Sequence, residues 1–329
     1  MSNSSALRSE EHKSVMMDEV IKYMSPNDGD IIIDGTFGAG GHTSALLESA
    51  NCTVVGIDRD DNAKRYVDEI SHKYSKRFVF IEGKFGDMES LLKSRNIDKV
   101  DGILLDIGVS SMQIDNGDRG FSFQKDGPLD MRMASSGETA ADVVNNYSEE
   151  NIADIIFKYG DERKSRRIAK AIINYREENQ IETTLEFAEI IKKSVGRYND
   201  TIHPATRSFQ ALRIYVNDEL RELERALAAA ENLLSEGGKL VVITFHSGED
   251  VILKQFLQGR SGRVSNVSRH LPVPSNISEK EVTFEMIVNK AIKPSKDEVS
   301  LNARARSAKM RVAKRVNVSP DSLNVQVGE

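Results

Sequence analysis

The sequence predicts an α/β fold: a Rossmann-like sheet of parallel strands interrupted by an inserted all-helical domain. Three observations carry that expectation. Apolar, β-branched runs alternate with helical periods from residue 30 to 106, the order that builds a parallel sheet with right-handed crossovers. The first run, Asp30-Ile31-Ile32-Ile33-Asp34, breaks into a loop carrying Gly35, Gly38, Gly40 and Gly41, as a strand does when it turns tightly into a helix. From about Ala134 to Ser208 the pattern is wholly helical, and a fifth apolar run, Lys239 to Phe245, then resumes the sheet.

The chain is 329 residues long, enough for about two domains and a sizeable core. Its 45 Lys plus Arg against 51 Asp plus Glu leave a formal charge of −6, so global charge does not announce a nucleic-acid partner and any such contact must come from local patches. The single Cys52 excludes a disulfide framework and a zinc cluster and reads as a small core residue. No run of 18 apolar residues and no signal-peptide core is present, which points to a soluble, cytoplasmic chain.

Met1 to Glu11, rich in Ser and charge, reads as a disordered lead-in. Val15 to Met24 has helical spacing, and His12 just before it either opens that helix or faces substrate. After the glycine loop, Thr43-Ser44-Ala45-Leu46-Leu47 supplies the apolar face of a helix. Thr53 to Asp58 is the second strand, followed by a helix over Asn62 to Lys73 with Ala63, Tyr66, Val67 and Ile70 on one side. Phe78 to Glu82 is the third strand, trailed by Phe85, and Asp101 to Asp106 is the fourth. Ser110 to Met133 has no helical period, but Phe121 and Phe123 need something to pack on, so it reads as an ordered loop over the sheet's ligand edge.

Helices are expected over Asn151 to Tyr159, Ser165 to Glu178 and Leu185 to Val195, with no strand signal between them. This makes 134–208 an inserted helical domain, expected to recognise the substrate, and leaves 1–133 and 209–329 as a discontinuous sheet domain. Phe209 to Leu234 reads as one long helix, because Leu212, Val216, Leu220, Leu223, Leu227, Ala230 and Leu234 recur at steps of three and four, with Gly237-Gly238 as its stop. Arg207, Gln210, Arg213 and Asn217 on its approach could frame a substrate cleft. Past His246 come a short helix over Val251 to Leu257, a polar stretch with Pro272 and Pro274, a further strand over Val282 to Val288, and an unstructured tail after Val316. Two basic clusters stand out: Arg163, Lys164, Arg166, Arg167 and Lys170, and the acid-free run Asn302 to Arg315 with Arg304, Arg306, Lys309, Arg311, Lys314 and Arg315.

Asp34, Asp58 and Asp106 end three of the four strands, and Phe85 follows the other. Such positions share one edge of a parallel sheet, where open α/β folds bind ligands. A dinucleotide site wants Gly-x-Gly-x-x-Gly facing a pyrophosphate. Here Gly38 and Gly40 fill the first two positions, the third falls on Thr43, and Asp34 at the loop mouth would repel phosphate. S-adenosylmethionine, with an ammonium, a sulfonium and no phosphate, suits the site better. Asp58 would accept from both ribose hydroxyls and Phe85 would wall the adenine. A glycine turn can simply close a βα corner and a lone strand-end Asp can simply cap a helix, so the reading rests on three acids together with the loop.

His12-Lys13-Ser14-Val15, Asp34-Gly35-Thr36-Phe37-Gly38-Ala39-Gly40-Gly41-His42, Gly56-Ile57-Asp58-Arg59-Asp60, Leu104-Leu105-Asp106-Ile107-Gly108-Val109-Ser110-Ser111, Arg119-Gly120-Phe121-Ser122-Phe123, Gly127-Pro128-Leu129-Asp130-Met131-Arg132-Met133, His203-Pro204-Ala205-Thr206-Arg207 and Thr244-Phe245-His246-Ser247 occur in this order. Together they resemble the bacterial 16S ribosomal RNA (cytosine-N4)-methyltransferase family over roughly residues 12 to 315. The resemblance implies a class I S-adenosylmethionine-dependent methyltransferase sheet, cofactor contacts at Gly40, Gly41, His42, Asp58, Phe85, Asp106 and Gln113, and 16S rRNA or the small ribosomal subunit as partner. His42 has the alternative of a helix-start residue whose backbone N–H alone meets the cofactor. In an RNA enzyme both basic clusters become phosphate-contact candidates, the C-terminal one above all.

Transfer to a cytosine amine needs a hydrogen-bond acceptor on N4–H, an aligned approach and a base out of its stack. Many amino-methyltransferases supply the acceptor from an Asp/Ser/Asn-Pro-Pro-aromatic motif after the fourth strand, but this chain has Asp106-Ile107-Gly108-Val109 there, with neither proline nor aromatic. The catalytic residue is therefore unassigned, with Asp130 and His246 as candidates that are equally readable as structural. No metal is expected, and the lone cysteine disfavours a covalent base adduct. Two other functions fit parts of the pattern: an NAD-linked oxidoreductase on the same fold, and an RNA-binding ribosome-assembly factor without catalysis.

Overall fold

The computed structural model describes residues 14–196, 202–262 and 282–318. The chain divides into two compact units. Met1–Arg59, Ala63–Gly108 and Arg221–Glu329 form one, and Asp60–Asn62 with Val109–Leu220 form the other. The expected lead-in, His12, Pro272, Pro274 and the tail beyond Val318 lie outside the described residues.

The first unit is built on a seven-stranded sheet. Its strands are β1 (Ile31–Asp34), β2 (Thr53–Asp58), β3 (Phe78–Glu82), β4 (Val100–Asp106), β5 (Leu234–Thr244), β6 (Val282–Met286) and β7 (Lys309–Val318), in the order β3-β2-β1-β4-β5-β7-β6. β1 to β5 are parallel, while β7 runs antiparallel to both β5 and β6. In chain order the helices are α1 (Met17–Met24), α2 (Gly41–Ser49), α3 (Lys64–Tyr74), α4 (Met88–Lys93), α5 (Ser111–Asp115), α6 (Ala140–Asn146), α7 (Glu149–Gly160), α8 (Ser165–Arg176), α9 (Thr184–Val195), α10 (Thr206–Asn217), α11 (Glu219–Leu233), α12 (Ser247–Arg260) and α13 (Lys296–Leu301). None is long and apolar enough to cross a membrane among the described residues.

The central strands are apolar throughout because both sheet faces are covered. Ile33, Ile103, Leu105, Leu240 and Val242 pack into one core with Leu223, Leu227 and Leu253. Their alternating neighbours Ile32, Val54, Leu104, Val241 and Ile243 pack into the opposite core with Val20, Leu46 and Ile70. Cys52 is buried in the second core.

The helical unit has its own core, in which Ile152, Ile156, Ile168, Ile172, Phe187, Ile191 and Leu212 meet. It is wider than the expected 134–208 at both ends. The loop 110–133 is ordered, as expected, but it is sewn into this unit: Leu129 and Met131 are buried in the helical core, Leu129 N–H bonds to Glu182 O at 2.8 Å, and Phe123 packs on His203 and Phe209. Asn217 ties the same loop down, donating to Met131 O at 2.7 Å and accepting from Met133 N–H at 2.8 Å.

The expected long helix over 209–234 is two helices. Asp218 adopts left-handed backbone, φ 52, and its N–H closes the last turn of α10 on Ile214 and Tyr215 carbonyls; Asp tolerates that conformation through its short polar side chain. The apolar spacing continues across the break, so periodicity does not reveal it. Gly237, φ +85, lies inside β5, beside a register shift against β4, and α11 has already ended at Leu233.

Candidate active site

The glycine loop leaves β1 at Asp34. Asp34 pairs in register with Gly56 of β2 and Leu104 of β4, so the flanking strands run two residues further, to Asp58 and Asp106. The three acids thus end three adjacent strands, β2-β1-β4, at their C-terminal edge. Their environments differ sharply.

Asp34 is completely buried. Thr43 Oγ1 donates to its Oδ2 at 2.7 Å and Thr36 N–H to its Oδ1 at 3.3 Å. Burial raises its carboxyl above the ordinary range, against the pull of His42 and of those two threonines. It pins the first turn of α2 to the end of β1 and is not the open anion at the loop mouth that the sequence suggests.

Asp58 accepts the Gly38 N–H at 2.7 Å, holding the loop against β2. Gly38 needs its φ of +55 for that approach, and a Cβ there would meet nothing closer than Thr36 O at 3.8 Å, so its side faces open space. Gly40 and Gly41 serve a different purpose. A Cβ on Gly40 would overlap Ile70 Cδ1 and stand 2.9 Å from the Phe37 ring, and one on Gly41 would overlap Ser14 Oγ. These two are glycines because protein packs against them.

Asp106 donates its N–H to Thr36 Oγ1 at 2.7 Å. Its Oδ2 stands 3.7 Å from His42 Nδ1, and its Oδ1 is buried without a hydrogen-bond partner among the described residues. Burial pushes the carboxyl up to about 6, opposed by His42 and reinforced by the negative charges of Asp34, Glu249 and Glu298. His42 is 4% exposed, with Nε2 3.0 Å from Val15 O. A carbonyl only accepts, so Nε2 carries the hydrogen and Nδ1 is turned to Asp106.

Phe85 opens the turn after β3 and packs half-buried against the core. Behind it, a Cβ on Gly86 would press on Glu222, which is buried and 2.8 Å from Arg59 NH1. Sequence reading missed Thr36, Thr43, Arg59 and Glu222, although both threonines lie in the quoted loop motif or next to it.

Gln113 belongs to the helical unit. Its Nε2 donates to Asp60 Oδ2 at 2.7 Å and its Oε1 accepts from Ser110 N–H at 2.9 Å. Asp60 also holds Arg119 at 2.9 Å; burial raises the Asp60 carboxyl, but these bonds outweigh it and leave the value low. Both ends of the Gln113 amide are therefore occupied within its own unit. Asp130 is gripped bidentately by Arg132, at 2.8 and 2.7 Å, and despite partial burial its carboxyl is held below the ordinary range. His246 caps α12, its Nδ1 accepting from Glu249 N–H at 3.4 Å while Glu249 Oε2 accepts from Phe245 N–H at 2.7 Å. The other ring nitrogen of His246, Nε2, stands 3.0 Å from Glu249 Oε1.

The C-terminal basic run is also largely committed. Arg311 and Lys309 meet Asp250 at 2.7 and 3.4 Å, Lys314 meets Glu285 at 3.7 Å, and Arg315 donates to the carbonyls of Glu231 and Thr283. The run has no acid of its own, but pairing with β6 brings Glu285 to it and helix α12 brings Asp250.

The chain is 52% identical over 307 residues to the ribosomal RNA small subunit methyltransferase H of Hyphomonas neptunium, covering 93% of this chain and 89% of that one. It is 52% identical to the protein of the same name from Paramagnetospirillum magneticum, over 92% and 95% of the two chains, and 53% identical to that of Rhodospirillum centenum, over 93% and 92%. A family model, described as the MraW methylase family, matches residues 9–316. With nearly its whole length matched by the family model and by relatives about half identical, the chain belongs to the MraW methylase family.

Proposed function

We infer that this protein transfers the methyl group of S-adenosylmethionine to N4 of a cytosine in 16S ribosomal RNA of the small ribosomal subunit, and so works in the cytoplasm. The observation that carries the reading is membership of a methylase family whose relatives, about half identical over nine-tenths of this chain, are named for the small-subunit RNA.

The sheet unit fits the cofactor by its chemistry. A buried carboxylate oxygen of Asp106 without a partner invites a donor, and burial makes such an orphan costly until one arrives. Gly38 presents backbone with open space on its side-chain face. Asp58 would hold the ribose hydroxyls, Phe85 would wall the adenine, and the backbone of Gly40, Gly41 and His42 would line the loop side. Gln113 enters this reading only through its grip on Asp60. When bound, S-adenosylmethionine supplies a methyl group already activated by the sulfonium charge. The chain supplies orientation through Asp58, negative charge through Asp106, and exclusion of water through the apolar core behind the strand ends. Arg132 engages both oxygens of Asp130 and His246 spends Nδ1 on the α12 cap, so neither is assigned the N4 proton in this reading.

Incubating the protein with labelled S-adenosylmethionine and undermethylated small subunits tests the reading. Label in the cytosine N4 position is expected; RNA that binds but gains no label would favour a silent assembly factor, and saturable binding of NAD in place of S-adenosylmethionine would favour an oxidoreductase.

A further inference from the structure

We propose that the outer face of α8 and the turn just before it grip the phosphate backbone of the RNA substrate through Arg163, Arg166, Arg167 and Lys170; this rests on the function inferred above and says where the RNA lies. α8 buries Ser165, Ile168, Ala169 and Ile172 on one side. The four cations recur at steps of three and four on the other side, and all four are exposed. From Arg166 to Lys170 the stripe rises about 6 Å along the helix at 1.5 Å per residue, and Arg163 in the preceding turn extends it, the shape of a track for a strand of phosphates more than of a pocket for one anion.

Three half-buried arginines of the same unit make a contrast with these exposed cations. Arg119, Arg132 and Arg213 each face a carboxylate, of Asp60, Asp130 and Glu219. Among the described residues, Arg163, Arg166, Arg167 and Lys170 form no ion pair. The first turn of α8 holds no acid, and Lys164 at its cap position makes no side-chain capping bond. Arg166 and Arg167 therefore stand at the positive end of the helix dipole, where acids are favoured, and neighbours three and four residues apart repel one another. Glu162 Oε1 accepts from Lys164 N–H at 2.8 Å just ahead of the first turn, but for the free helix the stripe of cations itself is unfavourable. A polyanion laid along the stripe reverses that sign, and guanidinium forks match phosphate oxygens in pairs. The C-terminal run, richer in cations by sequence, lacks this character because Asp250 and Glu285 already neutralise much of it.

The test compares the full chain with a variant carrying Arg163→Gln, Arg166→Gln, Arg167→Gln and Lys170→Gln, measuring affinity for protein-free 16S rRNA across a salt series and, separately, for S-adenosylmethionine. RNA affinity should fall at least tenfold at low salt, and the slope of log affinity against log salt should flatten by up to about 3, at about 0.7 for each phosphate no longer neutralised, with cofactor affinity unchanged. A variant with the three arginines replaced by lysine should keep most of the slope. Equal affinity and equal slope in the Gln variant would overturn the proposal. So would a loss confined to assembled subunits, which would point to an acidic protein as the partner. Should the Gln variant fail to fold, acetylation of Lys170 in the unsubstituted protein decides: RNA should protect it, and equal labelling with and without RNA overturns the assignment. An unsubstituted chain that binds neither 16S rRNA nor small subunits would instead sink the inferred function, leaving the two failures distinguishable.

Discussion

Asp106→Asn probes the carboxylate row most directly. In the folded protein this carboxyl titrates near 6, against 3.8 for an ordinary aspartate, and each unit is worth 1.36 kcal/mol, so the difference amounts to about 3 kcal/mol. Because the folded value is the raised one, the contribution is fully present below the unfolded value and is lost as pH rises through the folded value. The unliganded protein should therefore lose up to about 3 kcal/mol from this group between about pH 4 and pH 7. Asn keeps the shape without the charge. It should remove that slope, leaving the unliganded variant the more stable protein at pH 7. Urea unfolding of both proteins at a series of pH values isolates the group, since all other titrations are common to the pair. Cofactor affinity should move the opposite way: a cationic ligand favours the carboxylate, so affinity should fall about tenfold per pH unit below 6 in the native protein, and the variant should bind weakly and without that dependence. Stability curves that run parallel across the pH range would refute the assignment of a carboxyl raised by desolvation at the end of β4.

Further outcomes follow from other residues of the site and its support. Asp58→Ala should weaken S-adenosylmethionine by about 1.5–3 kcal/mol, the worth of bonds to a charged acceptor, and calorimetry giving an unchanged Kd would remove it from the ribose. Gly40→Ala must place a Cβ at φ 73 against Ile70 and Phe37; about 1–2 kcal/mol of left-handed strain and about 1–3 of overpacking should lower the thermal midpoint, so an unmoved midpoint would contradict the packing described. Asn217→Ala leaves Met131 O and Met133 N–H without their partner and should cost about 1–3 kcal/mol for each group left unpaired. Limited proteolysis should then cut faster within 110–133, and an unaltered cutting rate would show that Asn217 does not hold that loop.

The strand and helix pattern was legible in the chain because it is a matter of local chemistry. Ile31 to Asp34, Thr53 to Asp58 and Asp101 to Asp106 are apolar on both alternating faces, which only a strand covered on both sides requires, and each ends in an acid that stops the run. The break at Asp218 was not legible, because the apolar spacing of Leu212, Val216, Leu220 and Leu223 continues through it and one residue in left-handed backbone leaves no mark on periodicity. Nor was the span of the helical unit, since a glycine-punctuated loop such as 110–133 shows its allegiance only when Leu129 and Met131 find a core to enter.

The sequence by itself determined that three acids and a glycine loop share one sheet edge, since strand order in the chain and right-handed connection leave little alternative. Tertiary structure alone decided what each of those acids is for: Asp34 is enclosed by Thr36 and Thr43, Asp58 holds Gly38, and Asp106 keeps a bare oxygen. It likewise decided which cations are spent, for Arg311 finds Asp250 across 61 residues of chain while Arg163, Arg166, Arg167 and Lys170 find no acid among the described residues. The physical reason is the same in both cases. A side chain's charge is written in its residue type, but its energy depends on burial and on the nearest opposite charge, and those are set by segments far away in the chain.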